Sequence, residues 1–196
     1  MSREVQAKPS ATPSATPSAF AAVAVAAGAV VAVVLGVYGA AHTPSGEAIT
    51  TLGFSSMIAM KVWLAVAAGV LALAQLVTAA WMYGRLGGRA PAPRYVGPVH
   101  RATGALAVLL SLPVAYHCLW ALGFQSYDTR TLVHSVAGCL LYGALVTKLL
   151  VLHGRPTPGW LLPAAGGAVF TLLVLVVLTS AVWYLSSVGM PSSTGY

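Results

Sequence analysis

The chain is 196 residues long, with 58% hydrophobic and only 7% charged residues, where a soluble domain carries about 25% charged. That balance excludes a soluble globule, and the apolar runs leave no stretch long enough to bury a separate soluble core. Ten Lys and Arg stand against Glu4, Glu47 and Asp128, a net charge of +7, which in a membrane chain reports orientation; nothing in the sequence points to nucleic acid.

Residues 1–19 repeat Ser-Ala-Thr-Pro and are rich in Pro and Ser. They hold too little apolar surface to fold and are expected to form a disordered cytoplasmic tail. Five runs follow that meet the requirement of about 20 apolar residues for a membrane span: 20–41, 57–83, 102–124, 131–152 and 160–185. The expected fold is therefore all-α, an integral membrane bundle of five transmembrane helices over 20–186, with a short outer tail at 187–196. The first run exceeds the roughly 7 to 15 apolar residues of a signal peptide and reads as a retained anchor.

Arg3 and Lys8 precede the first span, Arg85, Arg89 and Arg94 separate the second from the third, and Arg155 separates the fourth from the fifth. These segments are expected to face the cytoplasm, with the N-terminus inside and the C-terminus outside. Trp63, Trp120 and Trp183 fall near one interface and Trp81 and Trp160 near the other, as aromatic belts do. Scarce Lys beside abundant Ala, Gly and Val points to a GC-rich bacterium, hence to a bacterial cytoplasmic membrane.

Four histidines, His100, His117, His134 and His153, bracket the third and fourth spans. They pair by depth: His117 with His134 across the Gln125–Arg130 turn, His100 with His153 at the other end. Imidazole is a common metal ligand and an axial ligand of haem iron, and histidines from facing helices can hold a porphyrin edge-on in a bundle. Both helices open alike, His100-Arg-Ala-Thr-Gly104 and His134-Ser-Val-Ala-Gly138, which reads as an inverted repeat. A Gly four residues on lies on the same helix face and, lacking a side chain, leaves room for a flat macrocycle. Arg101, Lys148 and Arg155 are candidate cations for haem carboxylates beside His100 and His153, and Arg130 and Lys61 for the other pair. Lys148 can equally snorkel to the headgroups.

His100-Arg-x-x-Gly104, His134-x-x-x-Gly138 and the downstream His117 and His153 resemble the transmembrane cytochromes b of the ferric-reductase-like and ascorbate-linked kind. The resemblance covers the third and fourth helices. It implies one or two non-covalent haems b and electron transfer within or across the membrane. The spacing differs from the 13 or 14 residues common in such proteins: gaps of 17 and 19 residues set the second histidine about 100° off the first at about 100° per residue. Pro113 is expected to kink the third helix just before His117 and so to rephase it.

Without Cys-x-x-Cys-His, Cys118 and Cys139 offer no covalent haem attachment and read as buried small side chains. Met57 and Met60 are possible axial ligands but better core fillers, and His42 reads as a loop residue. No carboxylate lies in any span, no Gly-rich phosphate loop follows a strand, and no His-Glu-x-x-His occurs, so the sequence carries no hydrolytic or nucleotide-dependent signature. The expectation is an electron-transfer subunit whose partners are the lipid bilayer and a protein redox partner or quinone-type donor. The alternative is a haem-free membrane anchor, assembly or transporter subunit.

Overall fold

A computed structural model describes residues 17–88 and 90–191; the expected N-terminal tail, up to residue 16, and residues 192–196 lie outside them. Among the described residues the chain is wholly helical. α1 is Pro17–Ala41, α2 Met57–Met82, α3 Val96–His117, α4 Thr129–His153, α5 Leu161–Val177 and α6 Trp183–Ser187. α3 continues into a π-helical turn, Cys118–Leu122, and a second π turn, Leu178–Val182, joins α5 to α6. The result is five rods, each long and apolar enough to cross a bilayer, and the protein is a multi-pass membrane protein.

The third rod begins at Val96 rather than near 102. Pro98 falls in its first turn, where the backbone N–H it lacks has no helical acceptor anyway, so proline is tolerated there. The helix also runs through Pro113 without interruption. A π turn that starts at Cys118 follows, beyond both histidines of this helix.

The core is built from small residues. Ala24, Ala59, Ala68, Ala72, Ala121 and Ala181 are buried, while Val33, Leu73 and Leu109 are exposed. Lipid tails impose no cost on exposed large apolar side chains, and small residues let backbones approach. The closest approach joins α1 to α4: a Cβ at Gly28 would strike Thr147 Oγ1 and the Gly143 carbonyl, and one at Gly143 would meet Ala32 Cβ at 2.9 Å.

α3 packs against α2, and α4 against α1 and α5. Thus α3 and α4, though consecutive and bearing all four intramembrane histidines, are not packed on each other as the histidine pairing by depth assumed. The Tyr142 hydroxyl bridges them by donating to Ser111 Oγ at 2.9 Å. At the turn end the Ser135 hydroxyl donates to the Gln125 carbonyl at 2.9 Å and accepts from its N–H at 3.1 Å. The connections 42–56 and 123–128 form one end of the bundle, here the Gln125 end; 83–95 and 154–160 form the other, the Arg155 end. Asp128 caps α4, its carboxylate accepting from the Thr131 N–H at 2.6 Å while the Thr131 hydroxyl approaches the Asp128 N–H. That reciprocal cap satisfies donors that a helix start otherwise leaves open.

Candidate functional site

Between α3 and α4, toward the Gln125 end, lies a cavity of about 350 Å³ to which all five rods contribute. That volume falls within the roughly 300 to 1,000 Å³ of small-molecule sites. Its walls are largely apolar, and Lys61, Cys118, Arg130, His134, Gly138 and Tyr142 supply its polar and small positions. Open space lies where a Cβ on Gly138 would stand. Gly104 differs, because a Cβ there would meet Gln75 Oε1 at 3.0 Å; the room beside it is taken by a side chain. Both π turns line the cavity, through Cys118 and Leu122 on one side and Thr179 and Ser180 on the other. Such bulges free backbone carbonyls and frequently mark functional sites.

The histidines share a pattern at their ring nitrogens. His117 Nδ1–H donates to the Pro113 carbonyl at 2.7 Å and His153 Nδ1–H to the Leu149 carbonyl at 3.1 Å. A carbonyl only accepts, so in both rings Nδ1 carries the proton and Nε2 keeps its lone pair. His134 Nδ1 pairs with Thr179 Oγ1 at 3.1 Å, and His100 Nδ1 with Thr78 Oγ1 at 2.8 Å. Each threonine spends its own proton on a carbonyl one turn back, Leu175 at 2.6 Å and Ala74 at 2.7 Å. The hydroxyls therefore accept, and these two rings are fixed in the same tautomer. The repeat read in the sequence thus continues into the hydrogen bonds. The first histidine of each helix leans on a threonine of the adjacent rod, and the second bonds back to its own.

The four are not equivalent otherwise. His117 is 1% exposed, with Tyr116 edge-on at 5.6 Å, and its Nε2 has no hydrogen-bond partner among the described residues. A buried polar atom left unpaired costs about 1 to 3 kcal/mol, so this one calls for an explanation. Of the pair His117 and His134, only His134 opens onto the cavity. Val114, Ala115 and Cys118 form the α3 wall there, and His117 lies about 100° round the helix from Cys118. The Cys118 thiol lies within electrostatic range of both His134 and Lys61. Arg130 donates to the Thr179 carbonyl at 2.8 Å, pairs with Asp128 at 3.8 Å and sits 3.7 Å over the Trp183 ring.

At the Arg155 end His100 is half-buried and His153 exposed, as are Arg101 and Arg155. Lys148, half-buried on α4, is within electrostatic range of His100. Gln75 donates to the His100 carbonyl and, at 2.6 Å, to Thr103 Oγ1. Gln75, Thr78, Thr179 and the Tyr142–Ser111 bridge were absent from the sequence reading; the signal available was a lone amide in the apolar run of α2. His42 belongs to no such site. Its Nε2–H donates to the Trp120 carbonyl at 3.2 Å and its ring stacks between Tyr38 at 5.2 Å and Trp120 at 4.6 Å. Met60 is fully buried, and Cys118 and Cys139 are free thiols. Among the described residues no three His, Cys, Asp or Glu side chains converge on a common metal position.

Comparison with known families adds one match: the profile of the family of unknown function DUF6529 covers residues 21–192. The chain belongs to that family. The match takes in all five rods, so the four histidines and the cavity fall within the family's domain. No curated protein and no solved structure matches the chain.

Proposed function

We propose that this protein is a membrane cytochrome in which His134, facing the cavity, and His117, buried on the adjoining face of α3, would hold non-covalent b-type haem at the Gln125 end, passing electrons within or across the membrane. The observation that carries this reading is the unpaired, buried Nε2 of His117 in a ring whose other nitrogen is tied to the Pro113 carbonyl. Metal-ligating histidines commonly donate their second N–H to a carbonyl or similar acceptor, which fixes ring and tautomer. A haem brings four nitrogen donors of its own and asks only one or two of the protein, so a site without a three-residue cluster suits it better than a bare ion.

The residues divide the work as follows. Thr179 holds the His134 ring, Gly138 leaves open space beside it, and the walls are largely apolar. Lys61 supplies positive charge to an anionic edge, and Arg130 adds to it while also paired with Asp128. When bound, haem supplies one-electron redox chemistry, and the protein sets its potential through ligands, burial and nearby charge. The pair His100 and His153 suits a second haem less well, since His153 is the exposed last residue of α4. The distribution of Arg and Lys supports a cytoplasmic Arg155 end, and composition a bacterial plasma membrane.

The test is the reduced-minus-oxidised spectrum of protein purified after haem-supplemented expression. Bands of b-type haem lost in both His117→Ala and His134→Ala are the expected result. Pure, folded protein without a Soret band overturns the reading and leaves the haem-free anchor in its place.

A further inference from the structure

At the Gln125 end a series of rings stands in contact, one after another. Tyr116 lies edge-on to His117 at 5.6 Å between ring centroids and stacks on Trp120 at 6.4 Å. Trp120 stacks on His42 at 4.6 Å, and His42 on Tyr38 at 5.2 Å. All four separations fall within the roughly 4.5 to 7 Å of interacting aromatic pairs. The series begins at the buried ring whose Nε2 is unpaired and ends where α1 passes into the first connection. Two four-residue steps build it, Tyr116 to Trp120 on the third rod and Tyr38 to His42 at the end of the first, each of which keeps its pair on one helix face.

The crossing between the two rods is the one step that no single helix sets, and it is clamped. His42 Nε2–H donates to the Trp120 carbonyl at 3.2 Å, and the Ser45 N–H donates to the same oxygen at 3.3 Å. The Gly46 N–H donates to the Ala121 carbonyl at 3.0 Å, and the Phe124 N–H to that of Gly39 at 2.8 Å. Aromatic belts need no such joining, because each ring seeks the membrane interface by itself. Trp81 and Trp160 at the Arg155 end have that simpler form: among the described residues no ring stacks on either. The rings at the Gln125 end are joined to one another and to a proposed iron ligand.

We propose that Tyr116, Trp120 and His42 form the electron route between haem held by His117 and a water-soluble one-electron carrier at the Gln125 end. The inference rests on the haem reading above. The carrier gains the single electron that the reduced haem gives up; the rings bridge the distance without being oxidised, and no proton is transferred. Electronic coupling falls steeply with each gap between side chains, so rings held in contact by hydrogen bonds serve it better than loosely packed ones. His117 is 1% exposed, so coupling between its ring and the aqueous phase must run through neighbours, and Tyr116 is the first of them.

The experiment uses the haem-loaded full chain in nanodiscs, reduced and then mixed with ferricyanide, with reoxidation followed at the Soret band. The midpoint potential and the unfolding midpoint are measured on the same samples. Trp120→Leu and His42→Leu are each expected to slow reoxidation severalfold at unchanged potential. Trp120→Phe is expected to keep most of the rate, and Trp81→Leu all of it. A second readout needs no haem: in protein carrying isotope-labelled tryptophan, the indole resonance lost in Trp120→Leu is expected to shift in His42→Leu and in Tyr116→Leu. Unchanged reoxidation in Trp120→Leu and His42→Leu, with Soret band and potential intact, overturns the proposal and leaves the cytochrome reading standing. A lowered unfolding midpoint as their only effect does the same and makes the series a clamp between rods. An indole resonance indifferent to both neighbours, or equal slowing in Trp81→Leu, also overturns it. Folded protein without a Soret band overturns both readings.

Discussion

The two ends of the bundle carry the same histidine–threonine pairing and put it in different surroundings. At the Gln125 end His134 opens onto a largely apolar cavity, His117 is buried with an unpaired Nε2, and two π turns reshape the walls. At the Arg155 end His100 is half-buried beside Gln75 and Lys148, and His153 is exposed on the last turn of its helix. One local device, a ring fixed by its Nδ1–H, therefore serves two environments.

The largest expected effect separates the ends by their buried nitrogen. His117→Leu should abolish b-type absorbance. The haem-free form should meanwhile gain about 1 kcal/mol or hold its stability, because an apolar side chain removes a buried unpaired acceptor. Thermal unfolding of the haem-free protein checks this, and a clear loss of stability would show that the nitrogen already has a structural role. Gly28→Leu tests the scaffold common to both ends. It drives a side chain into Thr147 and the Gly143 backbone and should cost about 2 kcal/mol or more, read as a lowered unfolding midpoint with haem binding weakened.

A finer probe is Thr179→Val, which removes the acceptor that fixes His134 and keeps the volume. Haem affinity should fall about tenfold, with the spectrum of the remaining bound haem little changed. An unaltered affinity would detach the threonine from the site. The smallest effect concerns the turn that closes the cavity end. The Thr131 backbone N–H, then its hydroxyl and the neighbouring Arg130, hold the Asp128 carboxyl below the usual carboxylate range. Its contribution is present above the unfolded carboxylate pKa of about 3.9 and is lost as pH falls through the folded value. Asp128→Asn should lower the unfolding midpoint slightly at neutral pH and flatten its decline in acid. An identical acid profile in wild type and variant would remove Asp128 from the account.

Much of this was legible before any coordinates. Five spans follow from runs of apolar residues, since in lipid each backbone group must find its partner within its own helix. Position along the helices puts His117 at the end of α3 and His134 near the start of α4, and His100 near the start of α3 and His153 at the end of α4. What failed was lateral. Pro113 lies inside an unbroken helix, and nothing in the sequence announced the π turn that follows at Cys118, against which the first connection is hydrogen-bonded. There the Ser45 N–H donates to the Trp120 carbonyl and the Gly46 N–H to that of Ala121. Gly104 and Gly138 look alike in sequence, yet Gln75 of another rod fills the space beside one and leaves the other open.

The sequence by itself determined that the chain has five helices long and apolar enough to cross a membrane and that its histidines fall near helix ends, because hydropathy and helical rise are properties of a single rod. Only the tertiary structure decided that α3 and α4 stand apart around a cavity, that Thr78 and Thr179 pair with the rings of His100 and His134, and that His117 is left with a buried nitrogen unpaired among the described residues. Those features depend on which rod lies beside which, and the alanines and glycines at Ala24, Gly28, Gly143 and Ala181 set that by how closely they let backbones approach.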